Sequence, residues 1–298
     1  MKISQLREHL ADPATLGVRV RARRSPEAVI RRQAELARAL GFDRPFLVLS
    51  FDCDTADDAA VVTGVHRRLA ELGVCPTYAV PGALLERAAD VYAPLAETGA
   101  EFVNHGGAEH TYFDDRLGRH ASSFFYDTLD PERVSRDIED GHRICRDVLG
   151  KTPRGWRTPH FGTYSAPAQL RHLHQTLLAL DYRFSSSTLP RVALRHGPLY
   201  RGFGLPELPV TGIPIAPLEI LDTWGFFAAP DRTRTPVEYL EQAQLLARAI
   251  ANAGAGVINV YGDPLHIHDS PEFFAAVEAW TRVAEPISFA GLLDRIAA

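Results

Sequence analysis

A chain of 298 residues with a formal net charge of −5 carries no basic patch or stripe of the kind that nucleic acid requires. With 46% hydrophobic and 23% charged residues, it has the composition of a globular protein, which excludes disordered, collagenous and simple repeat classes. Length alone allows two ordinary domains or one large α/β barrel; three cysteines without a CxxC spacing, Cys53, Cys75 and Cys145, argue against a disulfide framework or a cysteine-built zinc site.

Residues 1–44 read as a polar, largely helical lead-in, with charged residues where a signal peptide needs its apolar core. No run approaches 18 apolar residues, so the sequence predicts a cytoplasmic protein without a membrane span. Ser25-Pro26-Glu27 marks a helix start, and apolar residues at helical spacing continue to Gly41. PFLVLSF (45–51) is a short apolar run rich in branched and aromatic residues, the pattern of a buried strand. The alternation then repeats. Helical AAVVTGVHRRLAELG precedes strand-like VCPTYAV, and PLAETG precedes EFVNH (101–105). PERVSRDIEDGHRICRDVLG leads to GWRTP (155–159), APAQLRHLHQTLLAL to YRFSSS, and VEYLEQAQLLARAIANAG to VINVYG (257–262). Strands alternating with helices predict a parallel sheet with helices outside it. No linker or change of composition divides 45–298, and the proline- and glycine-rich stretch 189–235 reads as loops over one end of the sheet.

Parallel α/β sheets place their chemistry at the C-terminal ends of the strands. Reactive residues cluster there: Asp52 and Asp54 after the first run, His105 after the third, Arg157 and His160 after the fourth, and Asp263, His266 and His268 after the last. This mixture suits a metal-assisted hydrolase. Imidazoles and a carboxylate hold a divalent metal, a second carboxylate takes a proton from water, and another histidine protonates the leaving group.

In this arrangement the chain resembles the polysaccharide deacetylases with a NodB homology domain, carbohydrate esterase family 4. Ser50-Phe51-Asp52-Cys53-Asp54 is similar to the family's first motif, Asn104-His105-Gly106-Gly107-Ala108-Glu109-His110 to its histidine pair, and Arg157-Thr158-Pro159-His160-Phe161-Gly162 to its third motif. The resemblance implies a distorted (β/α) barrel of about seven parallel strands over residues 45–298. It implies Asp52 as general base, Arg157 as the cation keeping it ionised, and Asp54, His105 and His110 as ligands of a divalent metal. Zinc stands ahead of cobalt, nickel or manganese. Backbone N–H near His160 would help hold an oxyanion. Asp222, in LDTWGFF, would orient the acid histidine, and Trp224 would wall the acyl pocket.

Two departures from the family pattern stand out. His105 and His110 are five apart where the family has four, a spacing that does not share a helical face, so Gly106-Gly107 must bend the chain; Glu109 is the alternative ligand. The family's last motif ends a strand with a histidine before proline, and here Asp263-Pro264 stands in that place. The acid role then falls to His266, His268 or Asp263. An extended 264–268 segment would put both histidines on one face, with His266 nearer the strand end, Asp222 as its partner, and His268 and Asp263 toward substrate.

His172, His174 and His196 read as non-catalytic, and Cys53 points away from its flanking aspartates if strand alternation persists. The resulting expectation is a deacetylase taking a small-molecule or glycan N-acyl substrate, with homo-oligomerisation left open. The alternatives are hydrolysis of a cyclic amide or N-formyl group on the same barrel, and a catalytically silent metabolite-binding relative, which the missing histidine at 263 favours.

Overall fold

In a computed structural model, residues 13–297 are described; the first twelve residues of the lead-in lie outside them. The strands are β1 Pro45–Asp52, β2 Thr77–Val80, β3 Glu101–Asn104, β4 Thr111–Asp114, β5 Arg119–Ser122, β6 Gly155–Trp156, β7 Phe184–Ser185, β8 Gly212–Ile213, β9 Ala216–Ile220, β10 Gly256–Gly262 and β11 Glu285–Pro286. Seven of them form one parallel sheet in the order β10-β1-β2-β3-β6-β7, with β11 alongside the start of β1. The pairs β4–β5 and β8–β9 are separate antiparallel hairpins.

The sheet curls around an apolar centre. Phe46 and Val48 of β1 meet Ala79, Val103, Phe184 and Leu208 inside it, while Leu47, Leu49 and Phe51 pack outward beneath the helices. This is the two-residue period of a strand buried on both faces. Between β7 and β10 the ladder is replaced by the irregular segment 205–211. Leu208 N–H donates to the Ser185 carbonyl at 2.8 Å, Thr211 N–H to the Asn259 carbonyl at 2.8 Å, and the Asn259 amide to the Leu208 carbonyl at 3.0 Å. The fold is thus a distorted (β/α) barrel. Part of the stretch expected to be surface loops closes it, because side-chain amides and hydroxyls replace ladder bonds there.

The connecting helices start where the sequence marks them. Thr55 caps Ala56–Glu71 in a capping box with Asp58, Asp130 caps Pro131–Leu149, and Thr235 caps Pro236–Ala253, each cap contributing about 0.5–2 kcal/mol. The lead-in helix Pro26–Ala39 packs on Pro236–Ala253 and buries Ile30, Ala34 and Ala37. All three cysteines are unpaired.

Gly155 shows how tightly the barrel closes. A Cβ there would lie 2.1 Å from Phe184 Cζ and 2.6 Å from Val103 Cγ1. Gly155→Ala is expected to destabilise the fold by about 1–3 kcal/mol through overpacking, read in urea melts as a lower midpoint at unchanged slope. An unchanged midpoint would mean that the Phe184 ring swings aside freely.

Candidate active site

The alternation of β1 that buries Phe46 and Val48 inside the barrel carries on to Ser50 and Asp52 at its C-terminal end. It sends Cys53 outward into the helix-side core. Arg157, fully buried just past β6, reaches across the barrel: one guanidinium nitrogen lies 2.7 Å from Asp52 Oδ1 and another donates to Ser50 Oγ at 2.8 Å. Its guanidinium also stands over the Phe161 and Tyr261 rings, at 4.6 and 5.4 Å. Burial raises Asp52, against the pull of Arg157, to about 6. Desolvation outweighs the guanidinium here, yet a carboxyl at about 6 is still mostly ionised at pH 7.

Asp54, His105 and His110 converge, each offering a donor atom within 4.8 Å of the others. His105 Nε2 and His110 Nε2 lie 3.3 and 3.0 Å from Asp54 Oδ1, yet these three buried atoms have no partner in hydrogen-bonding geometry. His105 Nδ1–H donates to the Arg157 carbonyl at 2.8 Å, which fixes the tautomer and leaves the Nε2 lone pair facing Asp54. Two imidazole nitrogens and a carboxylate aimed at one point are a donor set that fits a divalent cation.

The five-residue spacing closes through a loop. Gly106 takes a φ of 88°, in the left-handed region that favours glycine. The Gly106 and Gly107 carbonyls accept from the N–H groups of Gly82 and Ala83, both at 2.8 Å, and Ala108 N–H donates to Asp137 Oδ1 at 2.8 Å. His110 returns to Asp54, whereas Glu109 turns outward to pair with Arg87.

On the opposite wall, Pro264–Ile267 forms a helical turn. Two residues on a helix are about 200° apart, which corrects the expectation that His266 and His268 share a face. His266 faces the cavity, and exposed His268 instead bonds the Leu265 carbonyl through Nδ1 at 2.9 Å. The partner expected for His266 also changes. Its Nδ1 lies 3.0 Å from Asp263 Oδ2 and 3.3 Å from Thr223 Oγ1. Asp222 instead accepts the Gly225 N–H at 2.8 Å and faces the Tyr261 hydroxyl at 3.5 Å. The reason is local: a helical turn starting at Pro264 carries His266 back over Asp263, three residues earlier. Burial raises Asp222 to about 6. Trp224 stands 5.7 Å from the His266 ring and is 46% exposed, forming an open side of the cavity.

Asp52, Asp54, Asp222, Trp224, Asp263 and His266 line one cavity of about 600 Å³, with His105 and His110 behind Asp54. His160 lies in its wall with a φ of 57°, edge-on to His110 at 4.9 Å and against Phe125 at 4.7 Å. Burial, then the neighbouring His110, lowers it to about 4, so it is neutral at ordinary pH. Sequence reasoning missed three lining features. Tyr261 was readable from β10, where it shares parity with inward-facing Asn259. Asp58 was readable as the third helical residue after Thr55. The β4–β5 hairpin, which brings Arg119 and His120 to the rim, is too polar to read as strand; Thr111 and His120 fasten it, through the Asp54 carbonyl at 2.9 Å and Asp57 at 3.2 Å. His172 bonds Ser135 and the Pro131 carbonyl, His174 pairs with Glu207 and His196 stacks on Tyr200, all outside this cavity.

The polysaccharide deacetylase family model matches residues 39–176. Among solved structures, a candidate polysaccharide deacetylase from Mycobacterium smegmatis is 18% identical with a TM-score of 0.62, covering 86% of this chain and 91% of that one. Puue allantoinase is 12% identical with a TM-score of 0.59, covering 86% and 90%. A candidate polysaccharide deacetylase from Pseudomonas aeruginosa PAO1 is 14% identical with a TM-score of 0.55, covering 86% and 91%. No curated protein matches the sequence. At these identities the structural likeness shows the barrel alone, while the matched stretch contains Asp52, Asp54, His105, His110 and Arg157. That stretch, which carries the candidate base and the three candidate metal ligands, is similar to the polysaccharide deacetylase family.

Proposed function

We propose that this protein is a metal-dependent hydrolase that removes an acyl group, N-acetyl foremost, from an amino sugar or a sugar-containing molecule. The observation that carries the reading is the convergence of His105 and His110 on Asp54, which lines one cavity with the Arg157-paired Asp52 and with His266. A divalent cation held by Asp54, His105 and His110, zinc first, would polarise the scissile carbonyl and acidify water. Asp52 takes a proton from the attacking water, and Arg157 keeps its carboxylate aimed into the cavity. Collapse of the tetrahedral intermediate needs a proton on the departing nitrogen, and His266, held by Asp263 and Thr223, gives it. Trp224 lies where it can cover the acyl group, and His160 stays neutral beside the metal imidazoles.

A cyclic amide is the second reading. Its support is the likeness of the barrel to that of Puue allantoinase, at a TM-score of 0.59. The silent-relative reading is disfavoured, since the three donors are in place and His266 occupies the acid side. The test is to strip the protein with chelator, reload it with zinc or cobalt, and assay acetate release from N-acetylglucosamine oligomers alongside ring opening of hydantoin. We expect one equivalent of metal and metal-dependent acetate release. Metal binding with hydantoin opening alone would select the second reading, and neither metal nor turnover would overturn both.

A further inference from the structure

Asp58 is 98% buried at the start of the helix Ala56–Glu71. Its Oδ2 accepts from Thr55 Oγ1 at 2.7 Å, Thr55 N–H at 3.1 Å and Asp54 N–H at 3.2 Å. A capping box needs no more than this one oxygen. The other oxygen, Oδ1, accepts the Leu265 N–H at 3.0 Å, from a residue 207 positions further along the chain. Leu265 precedes His266 in a helical turn whose first N–H groups have no partner within the turn. Ten residues along the helix from Asp58, Arg68 donates to the His268 carbonyl at 3.0 Å. One helix thus grips the turn at both ends.

We propose that Asp58 is a positioning residue that sets the proton-donating turn of His266 against the turn of the metal carboxylate Asp54. The proposal rests on the reading of His266 as proton donor. One carboxylate spans two segments that must stay in register: the Asp54 backbone through Oδ2 and the His266 turn through Oδ1. Asparagine at 58 keeps the volume but must turn an N–H₂ toward one of these donors, so one side lets go.

The test compares the N-acetylated sugar turned over by wild type with 4-nitrophenyl acetate, an ester whose leaving group needs little proton assistance. In Asp58→Asn, kcat on the amide is expected to fall about 10–100-fold, the scale of a catalytic group displaced by roughly 1 Å. KM should stay within about twofold, ester turnover within about threefold, and metal content at wild-type level. Equal losses on amide and ester, or an undiminished amide kcat, would overturn the proposal. His266→Ala is run in parallel; an unchanged amide-to-ester ratio there means that the reading of His266 fails, and not the role of Asp58 alone. Hydrogen exchange of the Leu265 amide in wild type supplies a readout that needs neither turnover nor a folded variant. Strong protection is expected, and exchange at the rate of a solvent-exposed amide would overturn the tether.

Discussion

Asp52→Asn is expected to retain its metal and lose turnover by about 10²–10⁴-fold, the usual size of a general-base contribution, whereas Asp54→Asn loses the metal. The two aspartates are two residues apart but differ in surroundings. Asp52 faces Arg157 at 2.7 Å, and Asp54 faces the Nε2 atoms of His105 and His110. Asparagine at 52 keeps an oxygen for the Arg157 guanidinium, so the buried cation is not left unpaired; alanine there would strand it, a change that costs about 3–5 kcal/mol. Metal content per chain and acetate release, measured on the same preparations, check the division of labour. Equal loss of metal in both variants would contradict it.

His266→Ala is expected to lower amide turnover by about 10²–10⁴-fold while sparing an activated ester. The physical case is the poor departure of an unprotonated amine. Burial pulls the His266 pKa down, but the charge and hydrogen bond of Asp263 and the charges of Asp58 and Asp222 outweigh it, leaving the imidazole above its ordinary 6.5. A proton donor works in its charged form, so amide turnover should persist beyond pH 6.5 and fall as the pH rises through that elevated pKa. Asp263→Asn removes the principal neighbour that raises it, so the same fall should move to lower pH. Full amide activity in His266→Ala, with loss in Asp263→Asn, would transfer the proton to Asp263 itself.

Much of this arrangement was readable along the chain because it depends on local patterns. The alternation in β1 places Ser50 and Asp52 inward and Cys53 outward. The run of strand and helix signals places Asp52, His105, Arg157 and Asp263 at strand ends. Capping residues and proline mark the helix starts. The two-residue strands β6 and β7 were harder to delimit, since so short a run has no period to read.

What only the tertiary structure decided lies in contacts between distant segments. The glycines after His105 signal a bend, but His110 returns to Asp54 because Gly82, Ala83 and Asp137 hold the loop. An extended reading of 264–268 failed because Pro264 opens a helical turn; Asp58 takes the Leu265 N–H and Asp263 takes His266. The segment 205–211 closes the barrel through the Ser185 carbonyl and the Asn259 side chain. Sequence by itself determined the strand–helix order and which residues stand at the strand ends, because backbone preference and periodicity are properties of neighbouring residues. Which carboxylate holds which imidazole was decided only by folding, because a buried donor takes whichever acceptor the packed chain brings within reach, however far away in sequence.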